Sequence, residues 1–231
     1  MQFLWESFNI KTFPANTLVF LDGKFQPDLS VFDADILSII KDKSGYTVEI
    51  IKQGKLPVHI ISVGEIYEKL DLNIVSLVTC HLSLKMSCKK PAEFTLDVKN
   101  AGKGSNFHGS LLFKNDSDIT INIFAGHSVE NTGIFIKTKA VCGSKSETYM
   151  NASAMVWENC ESDVSFSALC APDIKKISFS PNQRIYKVPK SAEHSAAIWR
   201  GTEPVIEYLR ESGLSKVEID DILKEAFESD I

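Results

Sequence analysis

"DITINIFAG", residues 118–126, alternates without a slip: Ile119, Ile121 and Ile123 share one face, and polar residues fill the positions between them. That is the period of a half-buried strand. The run is short and stops at a glycine. Similar runs lie on both sides of it: "NIVSLVTCHLSLKMSC" (73–88), "AEFTLDVKN" (92–100), "GSLLFKND" (109–116), "GIFIKTKAVCG" (133–143), "YMNASAMVWENC" (149–160) and "SDVSFSALC" (162–170). In the fourth of these, Ile134 and Ile136 again share a face. Most of the runs end at Gly, Asn or Asp, and no helix of ordinary length separates one from the next. Short strands joined by tight polar corners point to a sandwich, a barrel or a β-solenoid. A sandwich favours N-G and D-G hairpin turns, and after Asp22-Gly23 almost none are found. Corners of single polar residues suit a solenoid, in which the chain bends rather than reverses.

Toward the N-terminus, "NTLVFLDGKFQ" (16–26) reads as two strands around a D-G turn. Two apolar stretches flank a Ser-Gly break in residues 34–54, and "LPVHIISV" (56–63) is a further strand. "GEIYEKLD" (64–71) reads as a helical turn or a loop. Residues 1–15 form an arm, apolar at Phe3, Leu4, Trp5 and Phe8 and closed by Pro14.

After residue 200 the pattern changes. Thr202 is a candidate N-cap, Pro204 lies in the first turn, and Gly213 is a stop signal. Ser215-x-x-Glu218 is a capping box. Ile219, Ile222, Leu223, Ala226 and Phe227 then follow the spacing of one apolar helix face. Helices are expected over about 203–212 and 216–229, either capping the open end of the β core or offering an apolar stripe to a partner. The chain thus divides into an arm (1–15), a β core (16–199) and a helical region (200–231).

The 231 residues carry a net charge of −5 with both signs mixed, against the clustered Lys and Arg of a nucleic-acid-binding surface. No stretch reaches the roughly 18 apolar residues of a membrane helix, and the N-terminus lacks the pattern of a secretory signal. The five cysteines contain no C-x-x-C. The expectation is a cytoplasmic protein with reduced thiols.

No enzyme motif is present. "AGKGSN" (101–106) lacks the spacing of a P-loop and reads as a turn, and neither H-E-x-x-H nor G-x-S-x-G occurs. His59 and His81 lie within strand-like runs. His108 and His127 read as corner residues, and His194 falls where strand gives way to helix. Neutral imidazole is a ligand for iron, and thiolate a better one for iron–sulfur clusters. Cys160 and Cys170 belong to neighbouring runs, where buried cysteine acting as a small hydrophobe is the common case.

"GHSVENTGIFIKTKAV" (126–141), "YMNASAMVWENCESDVSFSALCAPDIKKISFSPNQRIY" (149–186) and "SAEHSAAIWRGTEPVIEYLRESGLSKVEIDDILKEAFESDI" (191–231) resemble the SufB/SufD family of the SUF iron–sulfur cluster assembly machinery. "LVFLDGKFQPDLS" (18–30) and "LPVHIISV" look like that family's opening strands. The resemblance implies a right-handed parallel β-helix with a C-terminal helical domain and without enzymatic turnover of its own. It also implies pairing of a B-type with a D-type protomer, each docking an ABC-type ATPase, SufC, through its helical region.

His194 matches the family's interface histidine, a proposed cluster ligand. Ser195 stands where B-type members carry a glutamate, and Lys175 where they carry a cysteine, with Cys170 nearby but out of register. These departures make the chain SufD-like, and the N-terminal helical region of the family is missing. The resemblance further implies that no cluster is held stably by this chain alone, its ligands being shared with a SufB-like protomer. Tyr208, Arg210, Lys216, Glu218 and Glu225 are the candidates for meeting the ATPase, with Ile219, Ile222 and Phe227 turned toward the β-helix. Two other readings stand beside this one. One is a carbohydrate-active or carbohydrate-binding β-solenoid using Tyr149 and Trp157. The other is a homodimeric β-helix scaffold without a metal role.

Overall fold

The computed structural model describes residues 14, 16–41, 43, 45–51, 57–199 and 203–229. The expected arm, apart from Pro14, and the N-cap assigned to Thr202 lie outside them. The described residues form a β-solenoid of about six turns followed by two helices. Its strands are β1 (Thr17–Leu21), β2 (Lys24–Phe25), β3 (Leu37–Lys41), β4 (Gly45–Ile50) and β5 (Val58–Glu65). They continue as β6 (Lys69–Ser76), β7 (Cys80–Cys88), β8 (Ala92–Asn100), β9 (Asn106–Asn115) and β10 (Ile119–His127). The last five are β11 (Gly133–Cys142), β12 (Glu147–Val156), β13 (Glu161–Cys170), β14 (Lys176–Ile185) and β15 (Ser191–Trp199).

From β4 onward successive strands fall in alternate sheets. One sheet runs β15-β13-β11-β9-β7-β5-β1-β2 and the other β14-β12-β10-β8-β6-β4-β3. Every pairing between coils is parallel. Gly133 pairs with Glu161 and Glu161 with Ser191, giving coils of 28 and 30 residues. The alternation read from 118–126 recurs coil after coil, because each strand turns every second side chain into the space between the sheets. In β7 the alternation between buried and half-buried residues is unbroken over all nine positions. The inward side chains form one continuous core, from Leu18 through Ile60, Leu82 and Ile136 to Val164 and Phe166.

The corners depend on residues that tolerate left-handed backbone. Asn131 and Asn159 take φ of 57° and 53°, values that asparagine accepts at small cost. At Gly102, in the corner after β8, an added Cβ would meet the Leu77 carbonyl oxygen at 1.9 Å, so two coils approach there as only glycine permits.

The two ends of the stack differ. At the N-terminal end β1 and β2 form an antiparallel hairpin, with Asp22 and Gly23 at φ 49° and 65°, the two-residue turn expected of D-G. β3 runs antiparallel to β4 and edges the other sheet. Phe20 packs on Phe25 and Tyr46 at 5.5 and 5.2 Å between ring centres, and Phe25 on Phe32 at 5.9 Å. These rings plug that end. At the other end β14 and β15 are edge strands, and nearly all their residues are exposed or half-buried.

Several expectations need correction. Residues 73–88 are not one run: the chain turns at 77–79 between β6 and β7. The apolar pattern continues around that corner through Val78, which is buried, so composition alone does not mark it. Of the two readings of 64–71 the loop holds, at residues 66–68, while 64–65 and 69–71 belong to β5 and β6. His108 lies inside β9, not at a corner, and His194 lies within β15, five residues before its end.

The helices α1 (Glu203–Glu211) and α2 (Lys216–Glu228) occupy the expected ranges. The Ser215–Glu218 capping box forms, and Gly213 ends α1 at φ 86°. They do not cap the stack. Phe227 packs on Trp199 at 5.7 Å, and Lys139, an outward residue of β11, donates to the Phe227 carbonyl oxygen while its ammonium lies 4.8 Å from that ring's centre. Lys114 pairs with Glu228 at 2.8 Å. The helical region therefore lies along the outer face of the longer sheet. Ile219 and Phe227 are buried as expected, but Ile222 is exposed: a flat sheet covers a narrower stripe, through 219, 223 and 227, than a surrounding core would. Among the described residues no helix is long and apolar enough to cross a membrane.

Candidate functional site

The bare end of the stack is built by two strands. β15 pairs in register with β13, setting Ala192, His194, Ala196 and Ile198 over Ser162, Val164, Phe166 and Ala168. All four residues beneath are buried, so the four above them occupy inward positions. His194 thus continues a column that runs Leu18, Ile60, Leu82, Gly109, Ile136, Val164. Every other side chain in that column is aliphatic and at most 2% exposed, whereas His194 is exposed because no coil follows. Opposite, β14 sets Ile177, Phe179, Pro181, Gln183 and Ile185 over the buried Thr148, Met150, Ala152, Ala154 and Val156. Phe179 stacks on Phe166 across the interior at 6.2 Å. Ile185 and Ile198 are 56% and 45% exposed, an apolar rim on this bare end.

Backbone groups complete the surface. Ser191 N–H donates to the Cys160 carbonyl oxygen. Bonding direction alternates along a parallel strand, so the N–H and C=O groups of Ala192, His194, Ala196 and Ile198 point away from β13. On β14 the Tyr186 N–H donates to Val156, so the odd-numbered residues face outward, and one of them is Pro181, which has no N–H to offer. The β14 edge is partly blocked and the β15 edge is not. Gln183 ties the two together by donating to the Glu193 carbonyl oxygen at 2.5 Å.

The sequence candidates distribute unevenly over this geometry. Cys170 is not beside His194. His194 pairs with Val164, six residues before Cys170 on the neighbouring strand, which places the two roughly 20 Å apart. One metal atom cannot take both. Tyr208, Arg210, Lys216, Glu218 and Glu225 are all exposed. Glu218 is committed to its cap, accepting from the Ser215 N–H at 2.8 Å and hydroxyl at 2.7 Å, which holds its carboxyl below the usual range. Tyr208 is 69% exposed and lies on α1, none of whose residues is buried. Tyr149 and Trp157 stand at opposite ends of β12, roughly 26 Å apart. Tyr149 bonds to Glu147 at 2.8 Å and Trp157 packs on Tyr186 at 5.5 Å, so they do not form a stacking row for sugars.

Two histidine features escaped the sequence. His59, His81 and His108 stack face to face at 5.1 and 5.0 Å, and His108 stacks on Phe135 at 5.1 Å, on the outer face of the longer sheet. Partial burial lowers all three pKa values, helped at His59 and His108 by the neighbouring His81. Parallel rings aim their lone pairs in parallel planes, so this column is a packing ladder rather than a chelate. His127 lies at the end of β10, its Nδ1 2.7 Å from the Thr132 hydroxyl, which also lies 3.4 Å from the Cys160 thiol. Its Nε2 finds no hydrogen-bond partner among the described residues, and burial lowers its pKa to about 4. Among the described residues no three His, Cys, Asp or Glu side chains are grouped to hold a metal ion. No model of a known protein family matches the chain, and no curated protein matches it.

Proposed function

We propose that the chain is a non-catalytic, cytoplasmic scaffold subunit of an iron–sulfur cluster assembly complex. It is SufD-like, joins a SufB-like protomer through the edges of β14 and β15, and docks a SufC-like ABC ATPase through α1 and α2. His194 carries the reading. It ends an inward column otherwise filled by aliphatic side chains and a glycine, and so presents an imidazole nitrogen to whatever covers that bare surface. The rim of Ile185 and Ile198 and the outward-facing backbone of β15 are what a second sheet stack would complete, by strand addition. The cluster is cargo: His194 supplies one nitrogen, and the remainder of about four ligands comes from the partner. The exposed faces of α1 and α2, held to the solenoid by Phe227 and Lys139, leave Tyr208, Arg210, Lys216 and Glu225 open for the ATPase.

Co-expression of the full chain with a B-type protomer and an ABC-type ATPase tests this. Both should co-purify, deletion of 203–231 should release only the ATPase, and His194→Ala should leave the assembly intact while cluster formation falls. Absence of both partners from the purified chain would sink the reading. A homodimer closed by the same edges is the second reading, favoured by the unblocked β15, and sedimentation of the purified chain alone separates the two.

A further inference from the structure

The C-terminal ends of the strands in the longer sheet bring two thiols together. Cys142 ends β11 and Cys170 ends β13, and the two are register partners. Adjacent strands lie about 4.8 Å apart, within the Cα separation of a disulfide. The column continues below through Asn115 to Cys88. Cys142 is buried and hydrogen-bonded to Cys170, with Thr148 and Asn115 also in hydrogen-bonding reach of its sulfur. Asn115 donates to the Thr148 hydroxyl at 2.8 Å. These thiols therefore meet polar groups, unlike Cys80, which is wholly buried in the core with its pKa pushed up to about 12 by burial. Cys170 is half-buried and lines a groove of about 860 Å³ that opens between the strand ends and the helices, with Asp116, Ile206 and Leu223 among its other walls.

We propose that Cys142 and Cys170 are a redox-active dithiol, converted reversibly to an intrachain disulfide by small-molecule disulfides that enter this groove. Cys170, reached from solvent, reacts first as thiolate: it attacks one sulfur of the small disulfide and expels one thiolate, leaving a mixed disulfide. Cys142 then loses its proton to solvent and attacks the Cys170 sulfur, expelling the second thiolate. The two cysteines give up two electrons and two protons, and the small disulfide is reduced to two thiols. Burial and the Cys170 hydrogen bond push the Cys142 thiol far up, so it is not the thiol that attacks first; its register position against Cys170 is what lets it follow. The product staples the coil of β13 to the one beneath, next to the bare end of the stack.

The full-length chain, equilibrated with mixtures of oxidised and reduced glutathione and then trapped, denatured and digested, tests the proposal. The expected result is a drop from five titratable thiols to three and a peptide pair joined through Cys142 and Cys170, restored to five by a reducing agent. Cys170→Ser should keep its four remaining thiols, and Cys160→Ser should still form the bridge. Three outcomes overturn the proposal: five thiols retained under oxidising mixtures, stable glutathione adducts without a bridge, or a bridge between other cysteines. The wild-type peptide map decides the question even if Cys142→Ser does not fold.

Discussion

Val164 and His194 occupy the same column one coil apart, and exchanging their chemistry measures where the interior of the stack ends. Val164 is 1% exposed and His194 is open to solvent. Val164→His removes the burial of a branched side chain, about 1.5–3 kcal/mol. It also leaves imidazole nitrogens among aliphatic neighbours, about 1–3 kcal/mol more. The sum is roughly 2.5–6 kcal/mol, enough to consume much of an ordinary domain's stability. His194→Val should stay within about 0.5 kcal/mol, as surface changes do. Urea unfolding of both variants, compared with wild type at unchanged slope, reads these numbers as shifts in midpoint. A loss above about 2 kcal/mol in His194→Val would mean that the imidazole is held by contacts of its own. A loss below about 1 kcal/mol in Val164→His would mean that the column is already wet one coil down. Either result refutes the picture of a dry stack ending at a bare imidazole.

Phe227→Ala should detach α2 from Trp199 and Lys139, raising the rate of limited proteolysis within 203–229 while leaving the main unfolding transition in place. Stability should fall on acidification from pH 6.5 toward 4. His127 is held neutral in the fold with its pKa at about 4, so the unfolded chain binds the extra proton first; the penalty is absent above 6.5 and grows as pH drops. The unscreened maximum is about 3 kcal/mol, less for a partly exposed ring, and the lowered pKa values of His59, His81 and His108 add in the same direction. His127→Asn should flatten part of that slope in pH-resolved melting. Closing the Cys142–Cys170 bridge should stabilise the oxidised chain by about 3–4 kcal/mol, from the loop of 28 residues that it closes, read as a difference in urea midpoint with and without reductant.

Periodicity made the solenoid legible, because inward and outward faces repeat at two residues wherever a coil is covered above and below. It failed where that condition fails. In β14 the inward row is Ile177, Phe179, Pro181, Gln183, Ile185, and its proline and glutamine disguise a strand that no further coil buries. The same release from burial let a histidine replace the aliphatic of its column, so His194 drew attention through its residue type while its strand setting was hidden. The histidine ladder and the Cys142–Cys170 pair were unreadable for a different reason. Coils of 28 and 30 residues differ by single insertions at the corners, and register across coils cannot be counted from composition. The helices were read correctly from caps and spacing. The surface that they cover was not, since amphipathicity says which face is buried but not against what.

The aromatic plug of Phe20, Phe25, Phe32 and Tyr46 closes one end of the stack and leaves the other able to accept a neighbour. A rod with two receptive ends would grow head to tail into a filament. With only one such end, stacking of two copies of this chain terminates after a single join.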